Sequence, residues 1–213
     1  MQNSVLLGIL CLTLTACRAE VTEGGAATVE FEPSNSQPSR AGELNAAERA
    51  ALIVDAEVAI AALAKPLQAQ LQAALAAGGP VEALKICQVV APQLAEAISA
   101  EHELTLRRVS LKHRNPTQGD PTDWQRMALE TFEAELAAGT QMDELLYAYA
   151  AEDEFRYMKA IPTGRPCLAC HGEQLAPEVS ATLATLYPED LAIGFKEGDI
   201  RGAFVVTKTL APE

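Results

Sequence analysis

Apolar residues recur at helical spacing from residue 45 onward, and the first helix has a recognisable start. Asn45, followed three residues later by Glu48, matches a capping box, in which each side chain bonds the backbone amide of the other residue. The alanine-rich stretch behind it predicts a helix to about Ala77. Pro66 lies inside this stretch and has no amide hydrogen to donate, so we expect a kink near it.

Gly78-Gly79-Pro80 separates this helix from a second one. Glycine readily ends a helix and proline is favoured at the start of one, so we expect the new helix over residues 81–100. One face of this helix carries side chains that are apolar or weakly polar and recur at helical spacing. They are Leu84, Cys87, Ala91, Leu94 and Ile98.

Alternation of apolar and polar positions appears mainly in the later part of the chain. Four short segments of this kind predict strands: residues 104–111, 145–150, 155–161 and 200–207. The middle two are separated by Glu152-Asp153, which predicts a hairpin. Helical periodicity returns after residue 122 and again over residues 178–186. Short, late strands among helices predict an α+β domain with an antiparallel sheet.

The amino terminus matches the export signal of a bacterial lipoprotein. The apolar stretch at residues 5–14 is too short to span a bilayer. It ends in Leu14-Thr15-Ala16-Cys17, which is similar to a lipobox, in which the thiol of Cys17 accepts a diacylglycerol. We therefore expect residues 1–16 to be a signal peptide; the alternative is an ordinary cleaved signal with an incidental cysteine. Arg18, where an inner-membrane lipoprotein would carry aspartate, favours the outer membrane.

Residues 17–43 are rich in Glu, Thr, Gly, Ser and Pro and show little periodicity. Such a segment cannot bury enough apolar surface to fold, so we expect a flexible tether. It would hold the folded part, residues 44–213, on the periplasmic side of a bacterial membrane.

Composition excludes two classes of protein. The 213 residues carry 16 Lys and Arg against 29 Asp and Glu, a net charge of −13 at pH 7. This charge argues against a nucleic-acid partner, because nucleic-acid binding requires a basic face. No uninterrupted apolar run reaches about 18 residues, so a multi-span membrane protein is excluded. The lipid is then the expected means of membrane attachment.

Cys167-Leu168-Ala169-Cys170-His171 matches C-x-x-C-H, the attachment pattern of c-type haem. Two thiols one helical turn apart add across the two vinyl groups of one porphyrin. The adjacent His171 is then held against the iron as an axial ligand. The motif therefore predicts one covalent haem c, bound through thioethers to Cys167 and Cys170.

Three other interpretations of this motif remain open: a Cys167–Cys170 disulfide, a thioredoxin-like dithiol, and a zinc site that also includes Cys87 and His171. The disulfide and the dithiol have no use for His171, and the dithiol lacks a βαβ setting. The zinc site has suitable ligand types, but the adjacent Cys170 and His171 would have to turn onto the same ion.

Cys87 remains when the signal peptide, the lipid and the haem have accounted for the other four cysteines. Its place on an apolar helical face suits a buried thiol that acts as a small hydrophobic side chain. A thiolate is also a strong iron ligand, so the residues leave both roles open. Pro92 removes the amide that would bond the carbonyl of Gln88, which opens the helix beside Cys87.

Five further side chains compete for the second axial position: His102, His113, Met127, Met142 and Met158. The two histidines flank a charged strand, and we expect them at the surface. The methionines lie in helical or hairpin contexts, where methionine more often fills gaps in a core.

The chain resembles a family of small bacterial and cyanobacterial c-type haem proteins built on a PAS-like domain. Four segments between about residues 45 and 208 carry the resemblance. They are residues 83–87 with Ala91-Pro92, residues 108–116 followed by Asp123-Trp124, residues 167–172, and the closing segment 187–203.

The resemblance implies a sheet flanked by helices, a covalent haem, and axial coordination of the iron by His171 and Cys87. Arg114, Asn115 and Trp124 lie in the matching segments and are expected to shape the haem pocket or meet its propionates. The Arg-Asn-Pro sequence suits a plain strand-ending turn equally well.

Two functions fit these expectations. One is a one-electron carrier, because protein ligands on both axial positions leave no open site on the iron for a substrate. On that ground we expect no enzymatic activity. The other is a redox or gas sensor in which the bond between Cys87 and the iron breaks on reduction. Either role requires a redox or signalling protein as partner.

Overall fold

The computed structural model describes residues 44–150 and 153–210, which belong to one compact unit. The predicted signal peptide, residues 1–16, and the predicted tether, residues 17–43 with Cys17, lie outside the described residues. The helices are α1 (Ala46–Lys85), α2 (Ala91–Glu101), α3 (Pro116–Gly119), α4 (Asp123–Ala137), α5 (Leu168–His171) and α6 (Pro177–Leu186). The strands are β1 (Thr105–Val109), β2 (Leu146–Ala150), β3 (Glu154–Pro162) and β4 (Ile200–Thr209). None of the described helices combines the length and apolar character that a bilayer span needs.

Helix α1 begins where the sequence predicts. The Asn45 side chain accepts hydrogen bonds from the amides of Ala47 and Glu48, at 2.9 and 3.0 Å. The Glu48 carboxylate accepts one from the amide of Asn45, at 2.8 Å, which confirms the capping box. Pro66, the expected kink position, keeps helical dihedral angles. The helical geometry of α1 breaks instead at Gly79, where φ is 71°.

A π-helical segment, Ile86–Val90, joins α1 to α2 and carries Cys87. The amide of Ala91 donates to the carbonyl of the first residue of this segment, five residues back. Pro92 cannot donate the next bond because it has no amide hydrogen. The expectation of one regular helix over residues 81–100 is therefore wrong in this stretch, although the opening beside Cys87 agrees with the effect expected of Pro92. Single π-helical turns inside α-helices occur frequently at functional sites.

The four strands form one antiparallel sheet in the order β1-β4-β3-β2, and β2 with β3 forms the predicted hairpin. Helices α1 and α2 cover one face, where the core includes Leu63, Ile98, Leu106, Tyr157 and Val206. Helix α4 covers the other face, where the core includes Leu129, Phe132, Met158, Ala203 and Val205. This arrangement confirms the α+β class, with helices on both faces of an antiparallel sheet. The long helix α1 is the first element of the fold.

Strand β4 contains a bulge near its start. The pairing of β4 with β3 skips one residue between Ile200 and Gly202, so Arg201 has no partner on β3. The φ angle of Gly202 is 153°, and a Cβ atom there would lie 2.2 Å from the carbonyl oxygen of Val109. Glycine is required at this position because no larger residue could approach β1 so closely. The bulge changes the direction of the strand and of the Arg201 side chain.

Candidate functional site

A cavity of about 590 Å³ lies among the end of α1, the π-helical segment, α2, β1 and the segment 166–171. Its volume falls within the range of about 300–1,000 Å³ that is typical of sites for small molecules and cofactors. Cys87, Cys167, Cys170 and His171 all line it. Cys87 lies far from the other three in the sequence, and the fold brings it to the same cavity.

The two cysteines of the motif lie on consecutive short helical turns. Arg165–Cys167 forms a 3₁₀ turn, and α5 continues it through Cys170 to His171. Both thiols are free and half-buried. Burial raises the pKa of the Cys170 thiol, while the positive charge of Arg114 opposes this rise. The three-residue spacing therefore presents both sulfur atoms to one cavity.

The Nδ1 atom of His171 is held by a hydrogen bond, whereas Nε2 has no hydrogen-bond partner among the described residues. Its Nδ1 lies 2.7 Å from the carbonyl oxygen of Ala192, and because a carbonyl can only accept, Nδ1 must donate its hydrogen. Nε2 then carries a lone pair, which is the form of histidine that binds a metal. The ring packs edge-on against Phe195, with 6.2 Å between the ring centroids. Burial lowers the pKa of His171 well below its usual range, and the charges of Arg201 and Arg114 add to this effect.

Arg114 joins the cysteine motif to the segment that orients His171. Its Nη2 donates to the carbonyl oxygen of Cys170 at 2.6 Å and to that of Ala192 at 3.2 Å. Its Nε donates to the Asp190 carboxylate at 3.1 Å, and the other oxygen of Asp190 accepts from the Ala192 amide at 2.8 Å. The Arg114 side chain is buried, and that of Asp190 is 9% exposed. The same carbonyl of Ala192 thus receives hydrogen bonds from Arg114 and His171.

Asn115 and Trp124 have different surroundings. Asn115 lines the cavity, but its side-chain oxygen accepts from the amide of Thr117 at 3.1 Å and caps the short helix α3. Trp124 does not line the cavity. Its ring lies 6.0 Å from that of Tyr147, beside the α4 face of the sheet, with the guanidinium of Arg156 5.2 Å from its centroid. The structure therefore brings Arg114 and Asn115 to the site but leaves Trp124 outside it.

The candidates for a second axial ligand are reduced to two by position. Cys87 and His113 line the cavity, whereas His102 and the three methionines do not. Met127 is 60% exposed, and Met158 is fully buried on the α4 side of the sheet. The expectation that His113 lies at the surface is wrong, because its side chain is only 14% exposed.

Three further residues of this site lie in the segments that carry the resemblance but were given no individual role there: Arg108, Asp190 and Arg201. Arg108 lies on the same face of β1 as the core residue Leu106 and lines the cavity, as does Arg201. The sequence offers a signal for Arg108, because this charged residue shares a face of the strand with the apolar Leu106. Asp190 offered none, because its partner Arg114 is 76 residues away.

The described residues do not form the zinc site that was one alternative interpretation of the motif. Among residues 44–150 and 153–210, no group of three or more His, Cys, Asp or Glu side chains is arranged to hold a metal ion. The four side chains of the zinc alternative therefore share the cavity without converging on one point.

Comparisons with known proteins agree with this fold. The model of the Tll0287-like family matches residues 36–208. The crystal structure of the cyanobacterial heme-protein Tll0287 matches with a TM-score of 0.55 and 27% sequence identity, over 80% of this chain and 99% of that chain. A comparison with curated proteins gave no match. Because the family model spans well over half of its residues, the chain belongs to the Tll0287-like family.

Proposed function

We propose that this chain is a c-type cytochrome that binds one haem in the cavity beside β1. In this proposal Cys167 and Cys170 form the thioethers, and His171 and Cys87 are the axial ligands of the iron. The observation that carries the proposal is the meeting of these four side chains at one cavity of about 590 Å³. Membership of a family whose solved structure is named a heme-protein supports it.

The chemistry of the residues around the cavity fits a haem. Leu71, Leu75 and Leu84 supply apolar wall, which suits a porphyrin face. His171 supplies a neutral imidazole whose orientation is fixed by Ala192. The Nη1 group of the buried Arg114 has no hydrogen-bond partner among the described residues, so the site has a donor available for an acidic group.

Electron transfer is the function that this ligand set supports best. When bound, the haem iron supplies a one-electron couple between its ferric and ferrous states. Cys87, as a thiolate, would add negative charge at the iron and favour the ferric state, which lowers the reduction potential. With Cys87 and His171 both on the iron, no position is left for a substrate, so the proposal includes no enzymatic activity.

A redox or gas sensor is the second candidate, and the π-helical segment favours it. Cys87 lies where the regular hydrogen bonding of the helix is interrupted, next to a proline that cannot restore it. Release of Cys87 on reduction would then alter the surface presented to a partner protein.

The location proposed for this activity is the periplasmic side of a bacterial membrane, with the outer membrane favoured. It depends on lipidation of Cys17, with residues 17–43 acting as the tether. A redox or signalling protein that also reaches the membrane surface would be the partner.

Denaturing mass spectrometry tests the attachment of haem directly. Protein from cells competent in cytochrome c maturation should have the mass of the mature chain plus one haem. The Cys167→Ala/Cys170→Ala double variant should lose the added mass, while Cys87→Ala, the matched removal of a third thiol, should keep it. A wild-type chain without added mass would refute the proposed function.

A further inference from the structure

We propose that Arg108, Arg114 and Arg201 form a carboxylate-binding site in the cavity and hold the propionate groups of the haem. The inference rests on the proposed function and assigns new residues to it. Arg108 and Arg201 come from paired strands that are far apart in the chain, and Arg114 from the loop after β1. All three line the cavity that also contains the cysteine motif.

Arg114 provides the strongest geometric support. Its side chain is only 8% exposed, and its Nε and Nη2 groups are committed to Asp190, Cys170 and Ala192. Its Nη1 is buried and has no partner within the described part of the chain. A buried, charged donor without an acceptor is costly, so this atom indicates a ligand that can accept a hydrogen bond.

Arg201 reaches the cavity because of the bulge in β4. One of its nitrogens donates to the backbone carbonyl of Lys112 at 3.3 Å, and its guanidinium lies 5.2 Å from the centroid of Phe195. Arg108 lies on the same face of β1 as Leu106, and its side chain is exposed where it lines the cavity. Neither arginine makes an ion pair with a described carboxylate; Asp190, the buried acid beside them, is already paired with Arg114.

The three charges also act on one another. Burial lowers the pKa of Arg201 to about 10, and repulsion from Arg114 and Arg108 contributes to this shift. Burial likewise lowers the pKa of Arg108. The carboxylate of Asp190 offsets part of this repulsion, and a bound anion would relieve more of it.

Carboxylates are the anions that this site suits. The guanidinium group has a planar fork of donors that matches the two oxygens of a carboxylate. A haem presents two carboxylates at one edge of an apolar disc, and the cavity pairs apolar walls with cationic groups in the same way. A free carboxylate from solution is the other possible source of this chemistry.

The test uses the holoprotein and its resonance Raman spectrum, in which the propionate bending band responds to hydrogen bonding. Arg108→Gln and Arg201→Gln should each shift this band and lower the midpoint potential, because a positive charge near the iron favours the ferrous state. Arg201→Lys should keep most of the potential but still shift the band, because it retains the charge and loses the fork. The control is Arg126→Gln, an exposed arginine outside the cavity lining, which should change neither quantity.

Three results would overturn the inference. The propionate band of both glutamine variants could equal that of wild type, or Arg126→Gln could lower the potential as much as they do. Alternatively, added succinate could shift the wild-type potential while the band stays constant in the variants, which would indicate a free anion. In each case the haem is still attached, whereas failure of the proposed function itself would appear as a wild-type chain without haem.

Discussion

At the scale of single residues, the site depends on the carbonyl oxygen of Ala192. His171 and Arg114 both donate to it, and Asp190 bonds both Arg114 and the Ala192 amide. This network fixes the tautomer and the ring orientation of His171. It connects an axial-ligand candidate to a buried ion pair that makes no contact with the iron in the proposed function.

Removal of Asp190 should therefore destabilise the protein strongly. In Asp190→Asn, Arg114 would lose the carboxylate that faces its Nε group, and breaking a buried pair in this way costs about 3–5 kcal/mol. Urea unfolding measures this loss. Asp143→Asn, an exposed aspartate in the Met142–Glu144 turn, is the control and should change the free energy of unfolding by less than about 0.5 kcal/mol. Equal stability of the two variants would contradict the role given to Asp190.

A second network, formed by Glu57, Tyr157 and Lys159 outside the cavity lining, predicts a dependence of stability on pH. Burial by itself would raise the pKa of Glu57, but hydrogen bonds from Lys159 and Tyr157 outweigh it, and the pKa lies below the value of 4.5 for a free carboxyl. A lowered carboxyl pKa stabilises the folded state above the unfolded pKa, and this contribution is lost as the pH falls through the folded one.

The wild-type protein should accordingly lose more stability than Glu57→Gln between about pH 6 and about pH 3.5. Urea unfolding across this range measures the difference. Glu130→Gln, an exposed change on α4, should follow the wild-type curve. If Glu57→Gln also follows it, the network does not stabilise the fold.

The residues of the motif could be predicted from the sequence because haem attachment depends on local spacing. Cys167, Cys170 and His171 lie within five positions, so no knowledge of the fold was needed to group them. Trp124 shows the limit of this approach, because its position follows α4 to the opposite side of the sheet. The pairing of Arg114 with Asp190 depends on contacts between distant segments and has no local signature.

At the scale of secondary structure, two local irregularities shape the cavity: the π-helical segment that carries Cys87 and the bulge that carries Arg201. Pro92 indicates the interruption of the helix in the sequence, since a proline inside a helix removes a hydrogen bond. The second depends on how β4 pairs with β3 and could not be predicted. The start of α1 and the hairpin were predictable because capping and turn signals are local.

The close approach of β1 and β4 should make Gly202 sensitive to substitution. In Gly202→Ala the new Cβ would lie 2.2 Å from the Val109 carbonyl oxygen, so the strands would have to separate. We expect a loss of about 1–3 kcal/mol in the free energy of unfolding, which is usual for overpacking.

Gly164→Ala is the matched control for this change, since its Cβ would meet only ordinary contacts, the nearest at 3.7 Å. Urea unfolding of both variants gives the comparison. A Gly202→Ala protein as stable as Gly164→Ala would show that the two strands tolerate a side chain at this position.

At the scale of the whole molecule, we propose that a lipid on Cys17 holds an acidic chain at a membrane surface. The net charge of −13 favours a partner with a basic docking face. Lipidation of Cys17 would restrict the search for that partner to the surface of one membrane. The sequence predicts this arrangement through its lipobox.

Replacement of Cys17 should release the protein from the membrane. In Cys17→Ala the thiol that accepts the diacylglycerol is absent, so the protein should move to the soluble fraction and fail to incorporate labelled lipid. Cell fractionation with lipid labelling measures both effects, and Cys87→Ala serves as a control with equal loss of one thiol. Equal partitioning of wild type and Cys17→Ala would rule out the lipid anchor.

Electron paramagnetic resonance and optical spectra of the ferric holoprotein test most directly whether His171 and Cys87 hold the iron between them. We predict a low-spin ferric signal with a sulfur-to-iron charge-transfer band in wild type, unchanged in His113→Ala. Cys87→Ala should lose that band, and its reduction potential should rise because the thiolate no longer stabilises the ferric state. If Cys87→Ala keeps the wild-type spectrum and potential, Cys87 is only a core side chain and the proposed ligation is wrong.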